Sequence, residues 1–210
     1  MLLRDTIYDT LRAEILLCRL APGEELRELD LAEKYEVSRS PIREALRRLQ
    51  SDRLVTVLPR QCYVVNAISV SEAEELYRFR AVLEPACAAE VVRRASEAEL
   101  EALMQQARVD PDADFIVANR DFHCALARAS GNPRMADAAC ELIEQCDRLV
   151  RVVGSTIRGR VSEQLAAEHL AVAAALQARD GRGAGRRLYD HISQAEKRIV
   201  AALRRQAVRD

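Results

Sequence analysis

Residues 36–49 read EVSRSPIREALRRL. Ile42, Ala45, Leu46 and Leu49 recur at helical spacing, so one side of this stretch is built for burial. Ser38 or Ser40 can cap such a helix, and Pro41 falls in its first turn, where a missing N–H costs nothing. The spacing predicts a helix from about Ser38 to Ser51. Its other side carries Arg39, Arg43, Arg47 and Arg48, a density that a solvated ion-paired face or a helix lying in a DNA groove would explain.

Charge distribution bears on that choice. Residues 38–53 hold five arginines against Glu44 and Asp52, a net of +3, while residues 1–68 hold eleven basic and eleven acidic side chains. The whole chain is at −1, so any nucleic-acid contact has to come from this local patch. Glu44 is placed to pair with Arg47 and Arg48. Arg39 and Arg43 share the N-terminal, outward side of the helix and have no acidic neighbour within it. Arginine is the commonest reader of guanine in the major groove, and Ser38 and Ser40 at the same end can reach phosphate oxygens.

The flanking residues supply the frame. Ile7, Leu11, Ile15 and Leu16 mark a helix that ends before the Pro-Gly turn RLAPGEEL, and Leu29, Leu31, Ala32 and Tyr35 mark a short second one. After the arginine helix, LVTVL, PRQ and CYVVNA read as strand, tight loop and strand. Three helices and a two-stranded wing form a winged helix-turn-helix over residues 1–68. From Ser69 to 210 only helices are expected, over 69–94, 97–108, 112–130, 133–152, 160–179 and 184–207. The break before 133 is SGNPR, an Asn cap with Pro at the first helical position. VGSTIRGR and RDGRGAGR read as the later breaks. The fold class is therefore mainly α, a winged helix-turn-helix followed by a helical bundle over residues 69–210.

The opening MLLRDTIYDTLRAEILLCRL carries too many charges for a signal peptide or a membrane span, which points to the cytoplasm and no membrane partner. Six cysteines without a C-x-x-C pair read as reduced, mostly buried thiols.

The three histidines each fall on an apolar stripe. His123 follows Asn119 by one turn beside Phe115, Phe122 and Leu126. His169 lies with Leu165, Val172 and Leu176, and His191 with Leu188, Ile192, Ala195 and Ile199. Each reads equally as a hydrogen-bonded core residue or as one ligand of a shared metal, which requires the three helices to be neighbours.

LAPGEELRELDLAEKYEVSRSPIREALRRLQSDRLV resembles the DNA-binding half of the GntR family, whose pattern PGxxLxExxLAxxxxVSRxPVREALxxLxxxGLV is matched nearly throughout. Cys18-Arg19, Asp52-Arg53 and Cys62 stand where that family usually has glycine-containing turns. ELYRFRAVLEPACAAE, NRDFHCALARASGNP and EHLAVAAALQARDGRGAGRRLYDHI are similar to the helical FCD effector domain of the FadR-type subfamily. The resemblance implies base reading by Arg39 and Arg43, with Ser38, Ser40 and the wing residue Arg60 on phosphate. It implies a divalent metal on Asn119, His123, His169 and His191, with zinc best suited to imidazole and nickel or manganese as alternatives. It also implies a small carboxylate effector against Arg80, and a homodimer on a palindromic double-stranded operator, acting as a repressor. An i, i+4 ion pair with Glu84 is the plainer expectation for Arg80. No catalytic residues are expected. The rival readings are a metal-dependent hydrolase and a metal-free regulator holding an acyl ligand.

Overall fold

The computed structural model describes residues 3–58, 62–108, 114–153 and 160–206. The chain divides into two compact units, Met1–Ile68 and Ser69–Asp210.

The first unit contains α1 (Leu3–Leu16), β1 (Glu25–Arg27), α2 (Glu28–Lys34), α3 (Arg39–Ser51), β2 (Val55–Leu58) and β3 (Cys62–Val65). Leu11 and Ile15 of α1 and Ile42, Ala45, Leu46 and Leu49 of α3 are completely buried against one another, the stripe that the spacing predicts. Leu29 of α2 is instead 55% exposed, and the buried residues of that helix are Glu28, Leu31 and Ala32. The sheet is antiparallel in the order β1-β3-β2, with Leu26 opposite Tyr63 and Val57 opposite the same tyrosine. β1 adds a strand to the expected two. It is too short to show alternation, and one buried residue, Leu26, suffices to anchor it.

Two of the turns that lack glycine carry left-handed backbone on ordinary residues, at Cys18 (φ 57°) and Arg53 (φ 58°). A Cβ in that region is disfavoured, so Cys18→Gly and Arg53→Gly should each stabilise the unit by about 1 kcal/mol. Urea unfolding of the two variants reads this directly, and a lower midpoint for either would contradict it.

The second unit is six described helices: α4 (Val70–Arg94), α5 (Glu97–Gln106), α6 (Phe115–Ala129), α7 (Pro133–Val153), α8 (Arg160–Gln177) and α9 (Gly181–Gln206). The starts of α4, α5, α6 and α7 are capped as helix ends require. Ser69 Oγ accepts from Glu72 N, Ser96 and Glu99 form a capping box, Asp114 accepts from Ile116 N, and Asn132 accepts from Met135 N just before Pro133. The break at RDGRGAGR is present but shorter than expected, covering only its first two residues, Arg179 and Asp180, with Ala178 before them. α9 begins at Gly181 and runs through all three glycines, because Asp180 Oδ1 accepts from Gly183 N and closes the turn in two residues. Gly185 then lies against Pro85 of α4, where a Cβ would sit 3.6 Å from the proline, so the two helices approach closely. Phe122, Leu126, Ile143, Val172, Leu176 and Leu188 join α6 to α9 in one core. Among the described residues no helix is long and apolar enough to cross a membrane.

Candidate DNA-reading face and metal centre

The arginine helix is held from behind by α1. Glu44 pairs with Arg4 at 3.0 Å and Arg48 with Asp5 at 2.9 Å, while the Arg48 guanidinium lies 3.7 Å from the Tyr8 ring centroid. These contacts replace the expected pairing of Glu44 with Arg47 and Arg48: partners on a neighbouring helix win over those in the same one. Tyr8 also donates to Asp52 at 2.6 Å, fixing the end of α3.

Ser38, Arg39 and Ser40 are exposed at the start of α3, and Ser38, in the cap position, makes no side-chain capping bond. Arg60 lies outside the described residues. Arg39 and Arg43 do have an acidic neighbour, supplied by α2. Arg43 Nε and Nη2 donate to the two Glu28 carboxylate oxygens at 2.9 and 2.8 Å, and Arg39 Nη2 reaches Oε2 at 3.3 Å. Glu28 is buried, and its carboxyl is held below the usual range chiefly by the Arg43 hydrogen bonds. Half of the Arg39 side chain and 41% of Arg43 still face solvent. Glu28 thus grips the Nε–Nη2 edge of Arg43 and fixes the direction of its fork while the outer edge points away from the core. Reading charge along one helix misses this clamp, because Glu28 precedes Arg43 by 15 residues.

In the helical unit α6, α8 and α9 bring His123, His169 and His191 together, with ring nitrogens within 4.8 Å of one another. His191 Nε2 lies 3.2 Å from His123 Nε2 and 3.3 Å from His169 Nε2. All three rings are buried. His123 Nδ1 bonds Glu84 Oε2 at 2.5 Å and His191 Nδ1 bonds Glu168 Oε2 at 2.7 Å. Each carboxylate accepts the Nδ1 proton, which leaves an unshared pair on each Nε2. Phe122 stacks on the third ring, His169, at 4.6 Å between centroids, and His169 Nδ1 is buried with no partner among the described residues.

This arrangement fits a cation better than a hydrogen-bonded core. Two neighbouring Nε2 lone pairs at this separation repel, and one proton on His169 cannot satisfy both. Nitrogens about 2.1 Å from a common ion in tetrahedral array lie about 3.4 Å apart, close to the two separations measured from His191. His123 and His169 are also held toward the neutral, ligating form. Burial outweighs Glu84 and pushes His123 down to about 4, and burial with the neighbouring imidazoles pushes His169 well below its ordinary value. Burial alone would raise Glu84, but Arg80 and then His123 bring it down to about 2.

One pH prediction follows for the metal-stripped protein. Both histidines titrate lower when folded than when unfolded, so below about 6.5 the unfolded chain binds the extra protons. Stability is therefore full above that value and lost as pH falls toward about 4. Urea midpoints taken across this window check the sign. A flat profile would show that the rings are not shielded.

Asn119, one turn before His123, lines a cavity of about 30 Å³ that His191 shares with Arg80, Asp147 and Arg198. Arg80 is buried, and its Nε donates to Glu84 Oε1 at 2.6 Å, so the plainer ion pair is present even though the residue also faces the cavity. Asp121, the nearest carboxylate in sequence, pairs with Arg120 instead. Glu84 and Glu168 are the residues that stripe reasoning overlooks. Glu168 adjoins His169 yet serves His191, a pairing across helices that no spacing within α8 reveals. Both carboxylates are committed to imidazole Nδ1 atoms, which suits them to orienting ligands rather than to activating water.

Comparison with known proteins accords with this division. Residues 3–65 match the family described as bacterial regulatory proteins, gntR family, and residues 75–194 match the FCD domain. The chain belongs to the GntR family and carries an FCD domain. This GntR-family protein is 29% identical to the HTH-type transcriptional repressor RspR of Escherichia coli (strain K12) over 92% of its own length and 87% of that protein's. It is 30% identical to the HTH-type transcriptional regulator BphR of Paraburkholderia xenovorans (strain LB400), covering 91% and 82%. The solved structure of E. coli McbR/YncC superposes over 99% of both chains with a TM-score of 0.79 at 25% identity. The GntR-family chain is accordingly a DNA-binding transcription regulator, and its relatives carry the names of regulators rather than enzymes.

Proposed function

We propose that the protein is a cytoplasmic homodimeric repressor whose grip on a palindromic operator is relieved by a small organic acid bound at a metal centre. The observation that carries the sensing half is the meeting of three buried imidazoles, of which His123 and His191 have their Nδ1 protons committed to carboxylates. Asn119, His123, His169 and His191 are the residues that would hold the ion, which when bound supplies a positive centre able to take an anionic ligand. A neutral amide and three neutral imidazoles leave that charge uncompensated in the ligand shell, which favours an acid over a neutral effector. Zinc suits the donor set best, with nickel and manganese as the alternatives.

The reading half rests on Arg39 and Arg43 at the exposed start of α3, with Ser38, Ser40 and Arg60 on the backbone phosphates. The name of RspR supports repression as the polarity. Dimerisation fits an exposed apolar surface on the helical unit, where Phe79 and Val82 of α4 and Tyr189 of α9 are 53%, 72% and 55% exposed. An effector shifts operator affinity only by the difference in its own affinity for the two arrangements, about 1–3 kcal/mol in such couplings. Genomic fragments retained by the protein should therefore be released about fivefold to a hundredfold more readily when the acid and the metal are both present. Release that is unaffected by a chelator would contradict the metal-bound reading.

Asn119→Asp provides a sharper check. A carboxylate in place of the amide should tighten zinc binding and, by adding a negative charge, weaken binding of an acid. Zinc titration and acid titration of the same preparation should move in opposite directions, and movement in the same direction would remove Asn119 from the ligand set.

A further inference from the structure

The cavity beside the imidazoles has a second charged end. His191, Ala195 and Arg198 line it from α9, at spacings of four and three residues that keep them on one face. His191 and Arg198 are about 10 Å apart along the helix axis. Ala195 between them is too small to fill that gap. Arg198 Nε and Nη2 are buried and meet no acceptor among the described residues. Two guanidinium N–H groups removed from water without an acceptor require a partner, and the Nε–Nη2 edge suits a carboxylate or phosphate. Arg80, the other cation of the cavity, has its Nε taken by Glu84. The α7 wall contributes Asp147, whose Oδ2 is likewise buried without a partner among the described residues; burial pushes its carboxyl up to about 7, so it can meet an anion in its protonated form.

We infer that Arg198 is the anion-reading residue of this cavity, and that the ligand is a short diacid with one carboxylate at the imidazole end and the other on Arg198. This rests on the effector reading given above and narrows its ligand class. The two anchors explain why one stripe of α9 carries an imidazole and an unmatched guanidinium with only a methyl group between them. They also link the ligand to two points of one long helix, so that a diacid holds α9 where a monoacid would touch a single turn of it.

Calorimetric titration of the full chain as purified, with elemental analysis of each preparation, tests the assignment. Succinate is compared with butyrate, and glutarate with valerate, so that chain length is matched. At least one diacid should bind about tenfold or more tightly than its matched monoacid. Arg198→Met should erase that preference through a loss of about tenfold to a hundredfold in diacid affinity, with monoacid binding and metal content unchanged. Equal binding of diacid and monoacid by the wild type, or a preference that survives Arg198→Met, would overturn the inference and leave the effector reading standing. Binding of none of the four acids by the wild type, metal present, would overturn both. Should Arg198→Met fail to fold, Arg198→Lys keeps the charge without the fork, and wild-type diacid affinity in that variant would count equally against Arg198.

Discussion

Replacing Arg43 with alanine will weaken operator binding about fivefold to a hundredfold and blur the preference at one base pair. The size of the effect reflects how the side chain is held. Glu28 takes its Nε–Nη2 edge through both carboxylate oxygens, so on the proposed reading the guanidinium would meet DNA with its direction already fixed and with less freedom left to lose. The same substitution leaves the buried Glu28 carboxylate with Arg39 alone, so loss of folding has to be separated from loss of reading. Glu28→Gln makes that separation. It keeps the shape, removes the charge and loosens Arg43, and should lower affinity by less than Arg43→Ala while base preference at the same position persists. The clamp is also pH-dependent. The Glu28 carboxyl is depressed in the folded chain, so its contribution is present above the ordinary carboxylate range and lost as pH falls through its folded value. Anisotropy titrations against the operator and its single-base variants provide the readout. Unchanged selectivity in Arg43→Ala would mean that α3 does not read bases through this residue.

His169→Ala should abolish metal retention while operator binding without effector stays measurable. Loss of an outer partner such as Glu168 typically costs ten- to a hundredfold in metal affinity, and loss of a ligand costs more. His169 is the informative choice among the three. Its Nδ1 has no carboxylate behind it, and its ring is held by stacking on Phe122, so the substitution disturbs no ion pair. Glu168→Gln is the graded companion: His191 keeps an acceptor, though a weaker one, and affinity should fall by an intermediate amount. Zinc titration with elemental analysis distinguishes the three proteins. Equal metal content in all of them would place the ion elsewhere.

Much of this architecture was legible in the residue pattern, and the parts that were not share a cause. Periodicity fixes which face of a helix is buried, so Ile42, Ala45, Leu46 and Leu49 disclosed α3, and Asn132-Pro133 disclosed the start of α7. It does not say which helix lies opposite. That His123, His169 and His191 share stripes could be read; that α6, α8 and α9 bring those stripes to one point could not. The same limit hid the pairing of Glu28 with Arg43, of Glu84 with His123 and of Glu168 with His191, each made across helices. The glycine-rich stretch before Leu188 misled about the length of the break for a different reason. Glycine is a poor helix former in isolation, but close packing on α4 and the Asp180 cap outweigh that preference.

The measurement that bears most directly on the central claim is the metal content of the full chain, purified without metal-affinity steps, before and after stripping and reloading. The account predicts about one divalent ion per chain, lost to a chelator and regained from zinc, nickel or manganese salts. A chain that carries no ion as purified and takes up none of the three would contradict it.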